Sequence, residues 1–174
     1  MRRAWFGLSV LLVAAAAARA GDEPAKPTPT FSQAAPAVCG GRGIEATVAL
    51  VYQLNTLGPV AGAYIDLGFK PPLDLPKAAN ELRPRLTSLL PQGAKVGSPK
   101  WEGKRLRIAL TTTEQGIQPA TAFKMRFDCP AGSRIQPSAL TCATAEVVGA
   151  SGEPMEETLA REVRCLIVAL DPVR

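Results

Sequence analysis

The chain has 174 residues, 47% of them apolar, with 20 Lys+Arg, 15 Asp+Glu, four Cys and no His, the proportions of one globular domain rather than of a disordered or fibrous chain. Without histidine there is no Ser-His-Asp triad, no imidazole base near neutral pH and no His-ligated zinc or haem. The formal charge of +5 does not by itself indicate a nucleic-acid partner, because charge in a removable segment does not belong to the folded protein.

Residues 1–20 carry Arg2 and Arg3, an uncharged run over 4–18, and Ala18-Arg19-Ala20 before Gly21, the pattern of a cleaved secretory signal. The run is shorter than the roughly 20 residues of a spanning helix, so no stable membrane insertion is expected after cleavage. Cys39 lies too far along for a lipoprotein signal. Removal of Arg2, Arg3 and Arg19 leaves 17 basic against 15 acidic residues, a net +2. Lys/Arg runs never exceed two residues, which argues against nucleic acid as a partner. Residues 21–37, with Pro24, Pro27, Pro29 and Pro36 among small and polar residues, read as an extended linker. Residues 38–171 are apolar and long enough for a single core.

Within that domain, Ile65, Leu67 and Phe69 alternate with Tyr64, Asp66 and Gly68, and Pro71-Pro72 stops the run because proline lacks a ladder donor. Segment 77–90 mixes helical spacing at Ala79, Leu82, Leu86 and Leu89 with an interrupting Pro84, which predicts a loop, a single helical turn near 78–82 and a short strand. Trp101 precedes the next strand and is expected to cap the core. Leu106, Ile108 and Leu110 alternate with Arg105 and Arg107; Phe123, Met125 and Phe127 alternate with Lys124, Arg126 and Asp128. Both patterns describe half-buried strands. Segments 44–52, 140–148 and 163–170 are apolar on both sides, as in central strands or strands covered by loops. Ser151-Gly152 marks a turn. Together these short strands predict an all-β, disulfide-stapled sandwich.

Four cysteines in an exported protein favour two disulfides in an oxidising compartment. No CxxC is present, and the spacings of 90, 13 and 23 residues do not resemble paired zinc knuckles. Three connectivities are possible. Cys129 and Cys142 flank Pro130, Gly132 and Pro137, so the expected set is Cys129–Cys142 across a short loop and Cys39–Cys165 from the domain's start to its last strand. No metal or other cofactor is expected: the acidic group Glu153, Glu156 and Glu157 lacks the Asp-rich spacing of a calcium loop, and no Gly-rich phosphate loop is present.

The order of elements resembles the cohesin family. The resemblance rests on an opening strand "IEATVALVY", then "GPVAGAYIDLGFKPPLDL", "LTSLLPQGAK", "GKRLRIALTTTEQGI", "PATAFKMRFDC" and "AEVVGASGEPM", and spans residues 44–170. Where cohesins carry Tyr-Asp-Pro, this chain has Phe69-Lys70-Pro71, so any role of that Asp does not carry over. The resemblance implies a jelly-roll sandwich of about nine strands that acts, without catalysis, as the receptor of a protein module, or a carbohydrate-binding relative that holds polysaccharide. Cohesins bind through one flat sheet, matched here by 64–69, 105–110 and 123–128.

Alternation points Tyr64, Asp66, Arg105, Arg107, Lys124 and Arg126 outward from those strands. As one binding face they hold four positive charges, complementary to an acidic protein surface or a sulfated or uronic glycan; as a solvated face they would simply prevent edge pairing. A flat cellulose platform is poorly supplied with rings, and the carboxylates Glu45, Asp66, Glu102, Glu114 and Glu146 that could run glycoside hydrolysis sit in no motif. The expectation is therefore a non-catalytic binding module, secreted or in the bacterial periplasm or envelope, that recruits a protein or polysaccharide. The alternative is a structural component of an envelope or extracellular complex that binds no glycan.

Overall fold

The structure, a computed structural model, describes residues 30–112 and 116–174. The signal segment, residues 21–29 of the linker and Glu114 lie outside the described residues. Among the described residues eleven strands follow one another: β1 (Ala37–Val38), β2 (Ile44–Val51), β3 (Val60–Phe69), β4 (Leu86–Ser88), β5 (Ala94–Val96), β6 (Lys100–Glu102), β7 (Arg105–Thr112), β8 (Ala120–Phe127), β9 (Arg134–Ile135), β10 (Leu140–Gly149) and β11 (Arg164–Pro172). They form an antiparallel sheet ordered β10-β3-β7-β5, with β6 also on β7, a second sheet ordered β11-β2-β8-β4, and a β1–β9 ribbon. The fold is all-β.

The period-2 runs build the core. Ile65 and Leu67 of β3, Leu106, Ile108 and Leu110 of β7, and Phe123, Met125 and Phe127 of β8 are all essentially inaccessible and belong to one cluster with Ala46, Val48 and Leu50 of β2. The five-stranded and four-stranded sheets thus turn their apolar sides to each other, and their polar sides face opposite directions. A register shift places Ala122 as an extra residue between the pairs Val48↔Phe123 and Ala49↔Thr121. Such a bulge explains why the neighbours Ala122 and Phe123 are both buried. Segment 77–90 forms a helical turn at Ala79–Leu82, a 3₁₀ turn at Arg83–Arg85 containing Pro84, and then β4, as its mixed pattern predicts. β3 ends at Phe69, just before Lys70 and the proline pair. Trp101 is half-buried against Phe69, with ring centroids 5.9 Å apart, and its Nε1 donates to the Pro76 carbonyl at 3.3 Å.

Of the three segments read as apolar on both sides, only β2 is central. β10 and β11 are edge strands. On β10 the apparent second apolar side consists of the exposed Ala143 and Ala145, whose small methyls cost little in water. On β11 the edge is covered by the chain arriving from the Pro-rich segment, where Ala34 N–H donates to the Ile167 carbonyl at 2.9 Å and Ala34 itself is buried. The described end of that segment is thus docked on the domain rather than extended away from it.

The disulfide pairing differs from the expected set. The bridges are Cys39–Cys129, with Cα atoms 6.2 Å apart, and Cys142–Cys165, at 5.5 Å. The reason lies in the ribbon: β1 pairs with β9, and Cys39 N–H donates to the Ser133 carbonyl while Gly132 N–H donates to the Cys39 carbonyl. These contacts bring Cys39 beside the 129–133 loop. β9 and the turn Pro137–Ala139 then carry the chain away before it reaches Cys142 on β10, which meets Cys165 of β11 where the edges of the two sheets approach each other.

Tyr52, just after β2, is buried and donates its hydroxyl to the Ile117 carbonyl, while Ile117 N–H donates to the Val60 carbonyl at 2.6 Å. Burial pushes the Tyr52 phenol up to about 12, so it is a neutral clamp for the connection into β8 rather than a proton-transfer group.

Candidate functional site

Alternation fixes which residues leave the five-stranded sheet, and register decides which of them meet. On the outer side Asp66 of β3 stands directly opposite Arg107 of β7, and Arg107 is flanked by Lys100 of β6. One rung along, Tyr64 lies between Glu146 of β10 and Ala109 of β7. Arg107 donates Nε to Asp66 Oδ1 at 2.8 Å and Nη2 to Oδ2 at 3.0 Å, a two-point pair that fixes the guanidinium plane. Its Nη1 lies 3.9 Å from Glu102, and the group sits 5.9 Å from the centre of the Tyr64 ring. Asp66 is only 7% exposed although it projects from the outer side, whereas Tyr64 is 40% exposed.

The pair shifts both partners toward their charged forms. The Arg107 hydrogen bonds, and then its charge and that of Arg105, hold the Asp66 carboxyl below its ordinary 3.8 against the opposing effect of burial. The Asp66 hydrogen bond leads the causes that raise Arg107. A carboxyl held below its unfolded value stabilises the fold above that value and loses the contribution as pH falls through the folded value. Asp66→Asn is therefore expected to cost about 1–2 kcal/mol at neutral pH, discounted for the partial exposure of Arg107. The difference from the unsubstituted protein should narrow as the pH falls below the ordinary carboxylate value and vanish once the folded-state Asp66 carboxyl is protonated. Denaturant titrations of both proteins across that range check it; a gap that widens in acid contradicts the pairing.

Around the pair lies a cleft of about 530 Å³ lined by Tyr64, Gly97, Ser98, Lys100, Glu102, Arg107, Ala109 and Glu146. Its floor is built of small residues at close approach: Gly97 N–H donates to the Ala109 carbonyl at 2.7 Å, and a methyl on Gly97 would press the Ala109 Cβ at 3.2 Å.

The six residues read as one face are not one face. Tyr64, Asp66, Arg105 and Arg107 leave the five-stranded sheet, whereas Lys124 and Arg126 sit on β8 in the other sheet and point the opposite way. There Lys124 Nζ donates to Glu45 at 2.9 Å, and Glu45, then Asp171, raises the lysine pKa. No stripe of four cations forms, and the cations on both sides are interleaved with carboxylates. Of the acidic residues weighed for catalysis, Asp66 is held by Arg107 and Glu45 lies on the far side, while Glu102 and Glu146 reach the cleft. Sequence reasoning did not single out Gly97, Ser98 or Lys100, because only cross-strand pairing brings β6 beside β7. Glu146 follows a register shift after Thr144, which alternation alone does not reveal.

A second cavity of about 500 Å³ lies between β10 and the 157–166 stretch, beside the Cys142–Cys165 bridge and the Arg161–Glu157 ion pair. Thr144 Oγ1, on its lining, is buried without a hydrogen-bond partner. Among the described residues no group of three or more Cys, Asp or Glu could hold a metal ion, and no helix is long and apolar enough to cross a membrane. Compared with known proteins, the chain matches no family model, no curated protein and no solved structure, so the function of the cleft has to follow from its own chemistry.

Proposed function

We propose that the protein is a secreted, non-catalytic binding module that recruits its partner on the outer side of the five-stranded sheet, in the cleft around Tyr64. The observation that carries this reading is an exposed aromatic ring next to a guanidinium fixed by a buried carboxylate. An anchor held in place before binding costs little ordering entropy when a partner docks. Asp66, committed to Arg107, is not free to act as acid or base. The two disulfides fit an oxidising extracellular or periplasmic compartment. Five- and four-stranded antiparallel sheets around one core support a cohesin-like jelly-roll sandwich as part of the proposal.

A pull-down from extracellular and envelope fractions, polysaccharides included, separates the faces. Capture is expected to be lost with the double variant Tyr64→Ala/Arg107→Ala and kept with Lys124→Ala/Arg126→Ala on the other sheet. Equal capture by both variants and the native protein overturns the reading, and would favour an assembly component that docks by its strand edges.

A further inference from the structure

The charge balance of the cleft narrows its ligand. Lys100, Arg107 and Arg105, the last directly opposite Glu102 on β6, stand against Glu102, Glu146 and the underlying Asp66, three cations against three carboxylates. An anionic glycan would find no net positive charge and would meet Glu102 and Glu146, and a cationic ligand would meet Lys100 and the exposed end of Arg107. A neutral polyol suits the mixture, since each hydroxyl both donates and accepts. Glu102 and Glu146 supply acceptors; Lys100, Ser98 and the Arg107 Nη1, which Asp66 does not engage and Glu102 approaches only to 3.9 Å, supply donors. Tyr64, 40% exposed, adds an aromatic surface; Gly62, Ala109 and Gly97 beside it are too small to cover it, while Glu146 stands directly opposite and the Arg107 guanidinium lies 5.9 Å from the ring centre.

We propose that this cleft holds a neutral pyranose unit of a saccharide, with its C–H face on Tyr64 and its hydroxyls shared between the Glu102/Glu146 carboxylates and the Lys100/Arg107 cations. The proposal rests on the cleft being the recruiting face. One ring and a handful of polar contacts give a dissociation constant on the order of 1 mM per unit. Because the charges nearly cancel, affinity changes less than about twofold between low and high salt.

The test is calorimetric or NMR titration of the full chain with neutral gluco-, manno- and N-acetylglucosamine hexamers, beside a galacturonate hexamer and an unstructured peptide. At least one neutral hexamer should bind, independently of salt, and both Tyr64→Ala and the shape-preserving Glu146→Gln should weaken it about tenfold or more. Tighter, salt-sensitive binding of the galacturonate, binding of the peptide in place of sugar, or binding of none of the neutral hexamers overturns the proposal. If the sugars fail but capture in the pull-down still depends on Tyr64 and Arg107, only the saccharide assignment falls; if capture is indifferent to those residues, the recruiting face falls with it.

Discussion

Replacing Cys39 and Cys129 together by serine should lower the free energy of unfolding by about 4.6 kcal/mol, and replacing Cys142 and Cys165 by about 3.4 kcal/mol. The ranking follows from the lengths of chain enclosed, with sequence separations of 90 and 23 residues: a cross-link that closes the longer loop removes more freedom from the unfolded chain. Against the usual 5–15 kcal/mol of a domain, the first loss removes between about a third and nine-tenths of the stability. The two loops follow one another along the chain without overlap, so the two effects should add to within about 0.5 kcal/mol. The pairing Cys39–Cys165 with Cys129–Cys142 would have nested one loop inside the other. Denaturant melts of the two double variants and the quadruple variant give the numbers, and peptide mapping without reduction should link Cys39 to Cys129. A larger loss for Cys142/Cys165 would show that the junction of β10 and β11, not chain closure, dominates.

Local pattern revealed which side of each strand is buried. Phe123, Met125 and Phe127 are inaccessible and Lys124 and Arg126 project outward, because alternation is a property of a single strand. It does not reveal which sheet the strand joins. β8 pairs with β2 and β4 rather than with β7, so Lys124 and Arg126 are separated from Arg105 and Arg107 by the whole core. That choice depends on contacts between distant parts of the chain, as do the disulfide pairing and the meeting of Asp66 with Arg107, 41 residues apart. The charges were legible as outward and their partners were not. A lone Arg107 suggests an attractive positive surface; an Arg107 bound at two points by Asp66 is a rigid, nearly neutral wall, and the preference for a neutral ligand follows from that difference. Segment 77–90 was legible throughout, because its helical turn, its Pro84 and its short strand are all decided by neighbours in sequence.

A methyl group placed on Gly43 should destabilise the fold by about 2–6 kcal/mol. The stretch Gly40-Gly41-Arg42-Gly43 reverses the chain between the β1 region and β2, closed by Gly40 N–H donating to the Gly43 carbonyl at 3.0 Å and Gly43 N–H to the Gly40 carbonyl at 3.2 Å. Gly43 has φ +106°, a conformation that costs a side-chain-bearing residue about 1–3 kcal/mol. An added Cβ would also overlap the carbonyl oxygen of Phe127 and lie 3.2 Å from its carbon. That neighbour is backbone and cannot swing aside, so a further ~1–3 kcal/mol of overpacking is expected. Relief would require β8 to move off β2 where their pairing begins, at Ile44↔Phe127, disturbing a side chain at the centre of the core. Gly41 is the internal control: a methyl there meets nothing within 4 Å, and Gly41→Ala should stay within about 0.5 kcal/mol of the parent. Equilibrium unfolding of the two variants decides between a turn that requires glycine at its last position and one that merely tolerates it. Equal, small losses for both would mean that the backbone at Gly43 does not adopt this conformation.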